Sequence, residues 1–284
     1  MSSEFKIFNL ALRRLGQDPI ASIGEETENY RKISDIKDLL RRSLLRSHPW
    51  SFNKKEVALS RVVATDTPTW AGTTVYAVGD YVINTSSYKC LIAHTSGVFA
   101  TDLTAGYWVL AIDYETPVLD DYACIFQLPS DFLHLNKTSG EPDYSHKIKG
   151  RKLYSNSDTI SIEYGYDCKD PDAWVAITAY KIGDYVLQSN IIYYCLEEHT
   201  SAAAFATDLA ADKWVEQDIY DASFSDLYAT ALAYDLCIPI TQDDALKKIL
   251  GEELKTKLNL SKSLNGQEVT PDSAQQDEWL NSRI

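Results

Sequence analysis

The sequence predicts an α+β fold: a helical-bundle domain with a small β part, interrupted by two small antiparallel β modules. Three observations predict it. A block rich in tryptophan and tyrosine occurs twice, at residues 68–109 and 171–215, with matching residues in the same order and nearly the same spacing. Both ends of the chain carry apolar residues at helical spacing. The stretch between the blocks alternates apolar and polar residues with the period of a strand. Setting the blocks aside leaves one discontinuous domain, residues 1–66, 112–168 and 218–284, with the modules at 67–111 and 169–217.

The first helix follows from Phe5, Phe8, Leu12 and Leu15, which fall on one stripe, with Gly16 as a C-cap and Asp18-Pro19 as the turn after it. A longer helix is expected over residues 25–47, where Tyr30, Ile33, Leu40 and Leu44 share a stripe flanked by Ile36 and Leu39, until Pro49 ends it. Arg41, Arg42 and Arg46 stand in its last turns. There they either complement the helix dipole and meet solvent, or reach an acidic neighbouring subunit or DNA.

In the first module, Gly79-Asp80 turns into the strand Tyr81-Val82-Ile83, Asn84 to Ser87 turns again, and Tyr88 to Ile92 returns as a strand. The second module repeats this. Trp70 matches Trp174, Tyr76 matches Tyr180, and Gly79-Asp80-Tyr81-Val82 matches Gly183-Asp184-Tyr185-Val186. After one inserted residue, Cys90 matches Cys195 and His94-Thr95-Ser96 matches His199-Thr200-Ser201. After another, Phe99 to Leu103 matches Phe205 to Leu209, and Trp108-Val109 matches Trp214-Val215. Units this small build little core, so their aromatics must supply most of the buried area.

Between the modules, Ala123 to Leu128 reads as a strand, Pro129-Ser130-Asp131 as a turn, and Phe132 to Leu135 as the next strand. Lys147 to Tyr154 reads as a hairpin bent at Gly150, and Thr159 to Tyr164 alternates as a strand. Near the C-terminus, Phe224, Leu227, Tyr228, Ala231 and Leu232 form the face of a helix expected to stop before Pro239. Thr241 is the expected N-cap of a last helix, with Ala245, Ile249, Leu250, Leu254 and Leu258 on its stripe. Gly251 costs that helix about 1 kcal/mol against alanine. The tail after Asn265-Gly266 is expected to be extended, with Trp279-Leu280 as an anchor.

The chain has 41 acidic and 27 basic side chains, a net charge of −14, which argues against a sequence-independent DNA clamp, since phosphate binding needs clustered cations. No apolar run is long enough for a membrane span, and no N-terminus of secretory type is visible, so neither membrane nor export is expected. The five cysteines form no CxxC pair and are expected as small buried hydrophobes in a reducing compartment, without metal or disulfide. His94 and His199 are expected to bond near turns. There is no GxSxG, no HExxH, no Gly-rich phosphate loop and no singled-out carboxylate pair, so no enzyme and no cofactor are expected.

Each repeat, with its Trp, Tyr, Gly-Asp-Tyr-Val, Cys, His-Thr-Ser and closing Trp, resembles the small chitin-binding-type carbohydrate-binding module. In that family exposed aromatics stack on sugar rings. The repeats depart from it at their close, where Gly106-Tyr107-Trp108 stands against Asp212-Lys213-Trp214, so the aromatic pair is not kept in both copies. Two readings of Trp70, Tyr76, Tyr107, Trp108, Trp174, Tyr180 and Trp214 therefore stand side by side: core of the modules, or candidate glycan contacts.

The three remaining pieces resemble the tail tubular protein A family of short-tailed bacteriophages. The resemblance rests on Asn9-Leu10-Ala11-Leu12-Arg13-Arg14-Leu15-Gly16, Leu45-Arg46-Ser47-His48-Pro49-Trp50-Ser51-Phe52, Phe126-Gln127-Leu128-Pro129-Ser130-Asp131-Phe132-Leu133, Ile148-Lys149-Gly150-Arg151-Lys152-Leu153, Ala229-Thr230-Ala231-Leu232-Ala233-Tyr234 and Trp279-Leu280-Asn281-Ser282-Arg283. It implies a virion protein assembled in the host cytoplasm. This would be a head-to-tail adaptor in a dodecameric ring between portal protein and tail nozzle protein, part of the channel through which DNA is ejected. Arg41, Arg42, Arg46, Trp279 and Leu280 are the candidate subunit or portal contacts. The inserted modules would project outward, as decorations or toward tail fibres. The competing expectation is a carbohydrate-binding accessory protein carrying two sugar-binding modules on a helical scaffold.

Overall fold

The computed structural model describes residues 3–117, 121–139 and 146–268. Its fold is α+β with antiparallel ladders. Six α-helices lie among the described residues: α1 (Ser3–Arg14), α2 (Glu28–Arg46), α3 (Phe99–Thr104), α4 (Phe205–Ala210), α5 (Ala222–Thr241) and α6 (Asp244–Glu268). No described helix is long and apolar enough to cross a membrane. The chain divides into two compact units, residues 1–55 with 165–284, and residues 56–164, and each contains one module.

In the first unit the helices of both chain ends close on one core. α1 buries Ile7, Phe8, Ala11 and Leu12, a wider stripe than the predicted one, while Phe5 is only half-buried. It ends as expected at Gly16, whose φ of +69° suits a residue without Cβ. The Gly16 amide donates to Arg13 O and the Gln17 amide to Leu12 O, which satisfies two of the helix's last carbonyls. α2 starts later than expected, where the Thr27 side chain accepts from the Tyr30 amide. Its buried line is Ile33, Arg41 and Leu45, and Leu39 is 77% exposed, so the predicted stripe was turned toward solvent by part of a turn.

α5 is apolar around much of its circumference because α1, α2 and α6 all pack on it. Two expectations fail here. Pro239 does not stop α5, which runs on to Thr241. The proline lies in the last turn, where the helix is already ending, and Lys32 Nζ donates to its carbonyl at 3.1 Å. Thr241 is not the cap of α6, since its hydroxyl donates back to Cys237 O at 2.7 Å. Asp243 is the cap, accepting from the Ala245 and Leu246 amides at 2.9 and 3.0 Å. α6 also continues through Asn265-Gly266, where an extended tail was expected, because Asn265 is buried and accepts from the Ser51 amide at 2.7 Å. Gly251 permits the contact of α6 with α5, since a Cβ there would stand 3.2 Å from the Tyr234 ring.

Two sheets, formed mainly by residues of the second unit, flank its module in sequence. One orders its strands Lys54–Ala58, Ser161–Tyr166, Phe132–Ser139, and the other Cys124–Gln127, Lys152–Ser155, His146–Lys149. The hairpin forms as expected, with Lys149 opposite Lys152 and Gly150 at φ +57° in the bend. Pro129 to Asp131 is a turn, closed by the Phe132 amide on Pro129 O.

The modules share one plan. Tyr81–Asn84, Ser86–Cys90 and Trp108–Leu110 form a sheet, as do Tyr185–Gln188, Ile191–Cys195 and Trp214–Glu216. A two-residue ladder joins Val75–Tyr76 to His94–Thr95, and another joins Ala179–Tyr180 to His199–Thr200. The insertion between the copies sits in the hairpin turn, which is Thr85 at φ 62° in one and Ser189-Asn190 at 51° and 63° in the other. The helices α3 and α4, on matching sequence, were not predicted from it.

Candidate functional site

The aromatics singled out in the sequence mostly face inward. In the first module Val82 and Cys90 are fully buried, Tyr76 and Trp108 nearly so, and Trp70, Tyr88, Phe99 and Tyr107 pack around them. In the second the buried set is Val186, Cys195, Phe205 and Trp214, with Trp174, Tyr180 and Tyr193 against it. Trp108 meets Tyr76 edge-on at 5.0 Å and 77°, and Trp214 meets Tyr180 at 5.1 Å and 78°. Duplication therefore extends to packing geometry. A ring can stack on a sugar only through a face open to solvent. Trp108 and Trp214, each 3% exposed, and Tyr76, 7% exposed, have none, which corrects their place among the glycan candidates. Trp70, Tyr107, Trp174 and Tyr180 are half-buried at the rims.

The polar groups explain why these residue types recur. The Tyr76 hydroxyl accepts from the Ala71 amide at 2.9 Å, and Tyr180 does the same for Val175. The indole N–H groups of Trp70, Trp108, Trp174 and Trp214 reach no oxygen or nitrogen acceptor, but each indole meets neighbouring rings edge-on. His94 Nδ1 lies 2.8 Å from Ile92 O, and His199 Nδ1 2.7 Å from Glu197 O, so Nδ1 carries the proton in both. Nε2 then faces a buried carboxylate, Asp102 at 3.6 Å or Asp208 at 3.9 Å. That carboxylate accepts the amide of Gly97 at 3.0 Å or of Ala202 at 2.9 Å, fixing the loop before α3 or α4.

Cys90 and Cys195 lie 3.9 and 3.8 Å from the histidine Nδ1 atoms, a Cys–His–Asp row in each module. It is not a nucleophile's setting. Each thiol donates to a backbone carbonyl, Ile92 O or Glu197 O, and burial pushes both thiols up, away from the thiolate. The row fixes the turn between two strands and the short helix. Sequence reasoning placed the histidines at a turn but missed Asp102 and Asp208. The signal was present, because the Phe-Ala-Thr-Asp-Leu block is identical in both copies.

The arginine cluster of α2 divides. Arg41 is 2% exposed and therefore not a surface contact. Its Nη1 donates to Glu4 at 2.9 Å and Asp38 at 2.7 Å, and its Nε to Asp167 at 3.2 Å. Lys37 completes the network on Glu4 at 3.2 Å. Around it, burial first and then the charge of Glu4 hold the hydroxyls of Tyr220 and Tyr228 well above the usual tyrosine range. They donate to Cys168 O at 2.6 Å and Lys37 O at 2.8 Å. For Arg41 the solvent-facing reading fails because Glu4 and Asp167, which bury it, come from sequence-distant segments. Arg42 remains more than half exposed while bonding Asp167 at 2.8 Å, and Arg46 is exposed. Trp279 and Leu280 lie outside the described residues.

All five cysteines are buried and free, and burial pushes Cys168 up to about 12. Among the described residues no group of three or more His, Cys, Asp or Glu side chains is placed to hold a metal ion. No family model matches the chain, and no curated protein is significantly similar to it.

Proposed function

We propose that the chain is a structural, non-enzymatic virion protein of the short-tailed bacteriophage tail. It is a helical-bundle adaptor whose copies form a closed ring between portal protein and tail nozzle and line part of the DNA channel. One observation carries this reading. Segments that resemble the adaptor family but lie some two hundred residues apart close on a single helical core. Arg14, from the first segment, donates to Thr230, from the fifth, at 2.5 Å, and to Asp226. Trp50, from the second, is fully buried edge-on to Phe224 at 5.1 Å.

The net charge of −14 supports a conduit, since a wall of that sign repels phosphate and does not hold the genome. Exposed Arg42 and Arg46 remain candidates for the contact with a neighbour or with portal. The modules are decorations in this reading, available to tail fibres. The carbohydrate-binding reading rests on the half-buried rims Trp70, Tyr107, Trp174 and Tyr180. Light-scattering mass of the purified chain, with and without its portal protein, tests the proposal. A ring-sized complex supports it, and a chain that stays monomeric with portal yet is retained on chitin supports the alternative.

A further inference from the structure

The closing strands of the two modules share a geometry and differ in charge. Trp108–Leu110 and Trp214–Glu216 are both edge strands, paired on one side with Ser86–Cys90 or Ile191–Cys195. The Leu91 amide donates to Tyr107 O and the Ala111 amide to Ser87 O, with Lys89 opposite Val109 between them. Residues 107, 109 and 111 therefore direct their backbone groups into the ladder, and the N–H and C=O of Trp108 and Leu110 point away from it. In the second module the Leu196 amide on Lys213 O and the Gln217 amide on Ile192 O set the same alternation, so Trp214 and Glu216 point outward. Among the described residues no strand pairs with either outward side.

A free edge is a template for another strand, and proteins ordinarily blunt it with charge. The second module does so: Lys213, Glu216 and Asp218 stand along its edge. The first module carries Tyr107, Leu110 and Ile112 at the matching positions, and its edge holds no charge from Tyr107 to Ile112. Leu110 is 67% exposed, and Val109 and Ile112 are exposed beside it.

We propose that this unguarded edge pairs antiparallel with the same edge of a second copy of the chain. Centred on Val109, the pairing sets Trp108 opposite the partner's Leu110 and Leu110 opposite the partner's Trp108. Each such pair exchanges both N–H···O bonds. Val109 meets the partner's Val109 on one face. On the other, Leu110 stands about 7–8 Å from the partner's Leu110, within reach of it.

Charge permits this match and opposes the corresponding one. Lys89, which lies over the Tyr81 ring at 5.5 Å, stands about three strand spacings from the partner's Lys89. That is about 14 Å, beyond the screening length of about 10 Å at 0.1 M salt. Two second modules paired in the same way would instead put Glu216 about 7–8 Å from the partner's Glu216. The edge is too short to bury the roughly 800 Å² per partner of a standard interface, so the dimer is weak, with a dissociation constant on the order of 10 µM. The contact is isologous and closes on itself, whereas a ring needs a heterologous one, so the inference does not rest on the ring reading.

Sedimentation velocity of the full chain, over a concentration series around that value, tests the proposal. Wild type should pass from monomer to dimer. L110E, which gives the first module the residue of the second, should dimerise at least about tenfold more weakly. It should melt like wild type, because the second module folds with Glu216 at this position. The control V78E, exposed in the turn before the opposite edge strand, should dimerise like wild type. In hydrogen exchange the amides of Trp108 and Leu110 should gain protection only as the dimer forms.

Three results would overturn the proposal: a wild type that stays monomeric across the series, equal weakening by L110E and V78E, or a dimer in which the Trp108 and Leu110 amides stay unprotected. Mass with portal protein separates this contact from the ring. L110E that loses the dimer yet forms a ring-sized complex with portal supports the two-fold edge. Loss of dimer and ring together would make the edge a ring contact and overturn the two-fold assignment. A ring built by a chain that never dimerises sinks the edge assignment alone. An edge-dependent dimer that never builds a ring sinks the adaptor reading alone.

Discussion

Replacing Trp108 with alanine tests whether the module aromatics are core or surface. Trp108 is 3% exposed and sits beside Tyr76, Phe99 and His94, with ring centroids at 5.0, 6.2 and 5.4 Å. Removing a fully buried tryptophan costs about 3–5 kcal/mol, part transfer and part cavity. A module of about 45 residues, at roughly 0.05–0.15 kcal/mol per residue, has about 2–7 kcal/mol to lose. The first module should therefore open locally, while the second keeps Trp214 and the same core. Hydrogen exchange reads this within one molecule. Protection of the Val82 and Cys90 amides should collapse toward unfolded rates, and that of Val186 and Cys195 should stay. The core account is wrong if Val82 and Cys90 keep wild-type protection while retention on chitin falls, because Trp108 would then be a surface contact.

Other outcomes follow from the same geometry. Arg41→Met leaves Glu4 and Asp167 without their shared cation, so denaturant unfolding should lose about 3–5 kcal/mol, and adding Glu4→Gln should recover part of it. Native protein should leave all five thiols unmodified by a thiol reagent, and denatured protein should titrate all five. Stability should also fall in two steps as pH drops. Burial, then Lys262 and Lys54, hold His48 below its ordinary value, and its Nε2 lies 3.0 Å from Asn265 Nδ2. Its contribution is therefore full above about pH 6.5 and is lost as pH falls from there through the folded value. Burial opposes the charge on Asp226, but Lys257 and Arg14 outweigh it and hold the carboxyl low, so its contribution is lost only at acid pH. Melting curves from pH 8 to 3 check both steps, and His48→Gln should flatten the first.

Periodicity and identity between copies made much of the fold legible. The α1 stripe, the cap at Gly16, the hairpin at Gly150 and the ladders of both modules follow from local rules. What local rules missed came from contacts distant in sequence. Arg41 was assigned to the surface because Glu4 and Asp167, which bury it, stand 37 and 126 residues away. Pro239 was given too much weight as a breaker: α5 runs two residues past it, and Lys32, distant in sequence, donates to its carbonyl. The end of α6 was misplaced because Asn265-Gly266 looks like a stop until the partners of Asn265, His48 and Ser51, are known. For the aromatics, the sequence left core and glycan surface open, and burial separates Tyr76, Trp108 and Trp214 from the rim residues Trp70, Tyr107, Trp174 and Tyr180.

The proposed ring is open to direct observation. Electron microscopy of the purified chain mixed with its portal protein tests it most directly. A closed ring seated coaxially on the portal, with an open central channel, is the expected image. Bare portals beside free monomers, at concentrations where both proteins are folded, would contradict it.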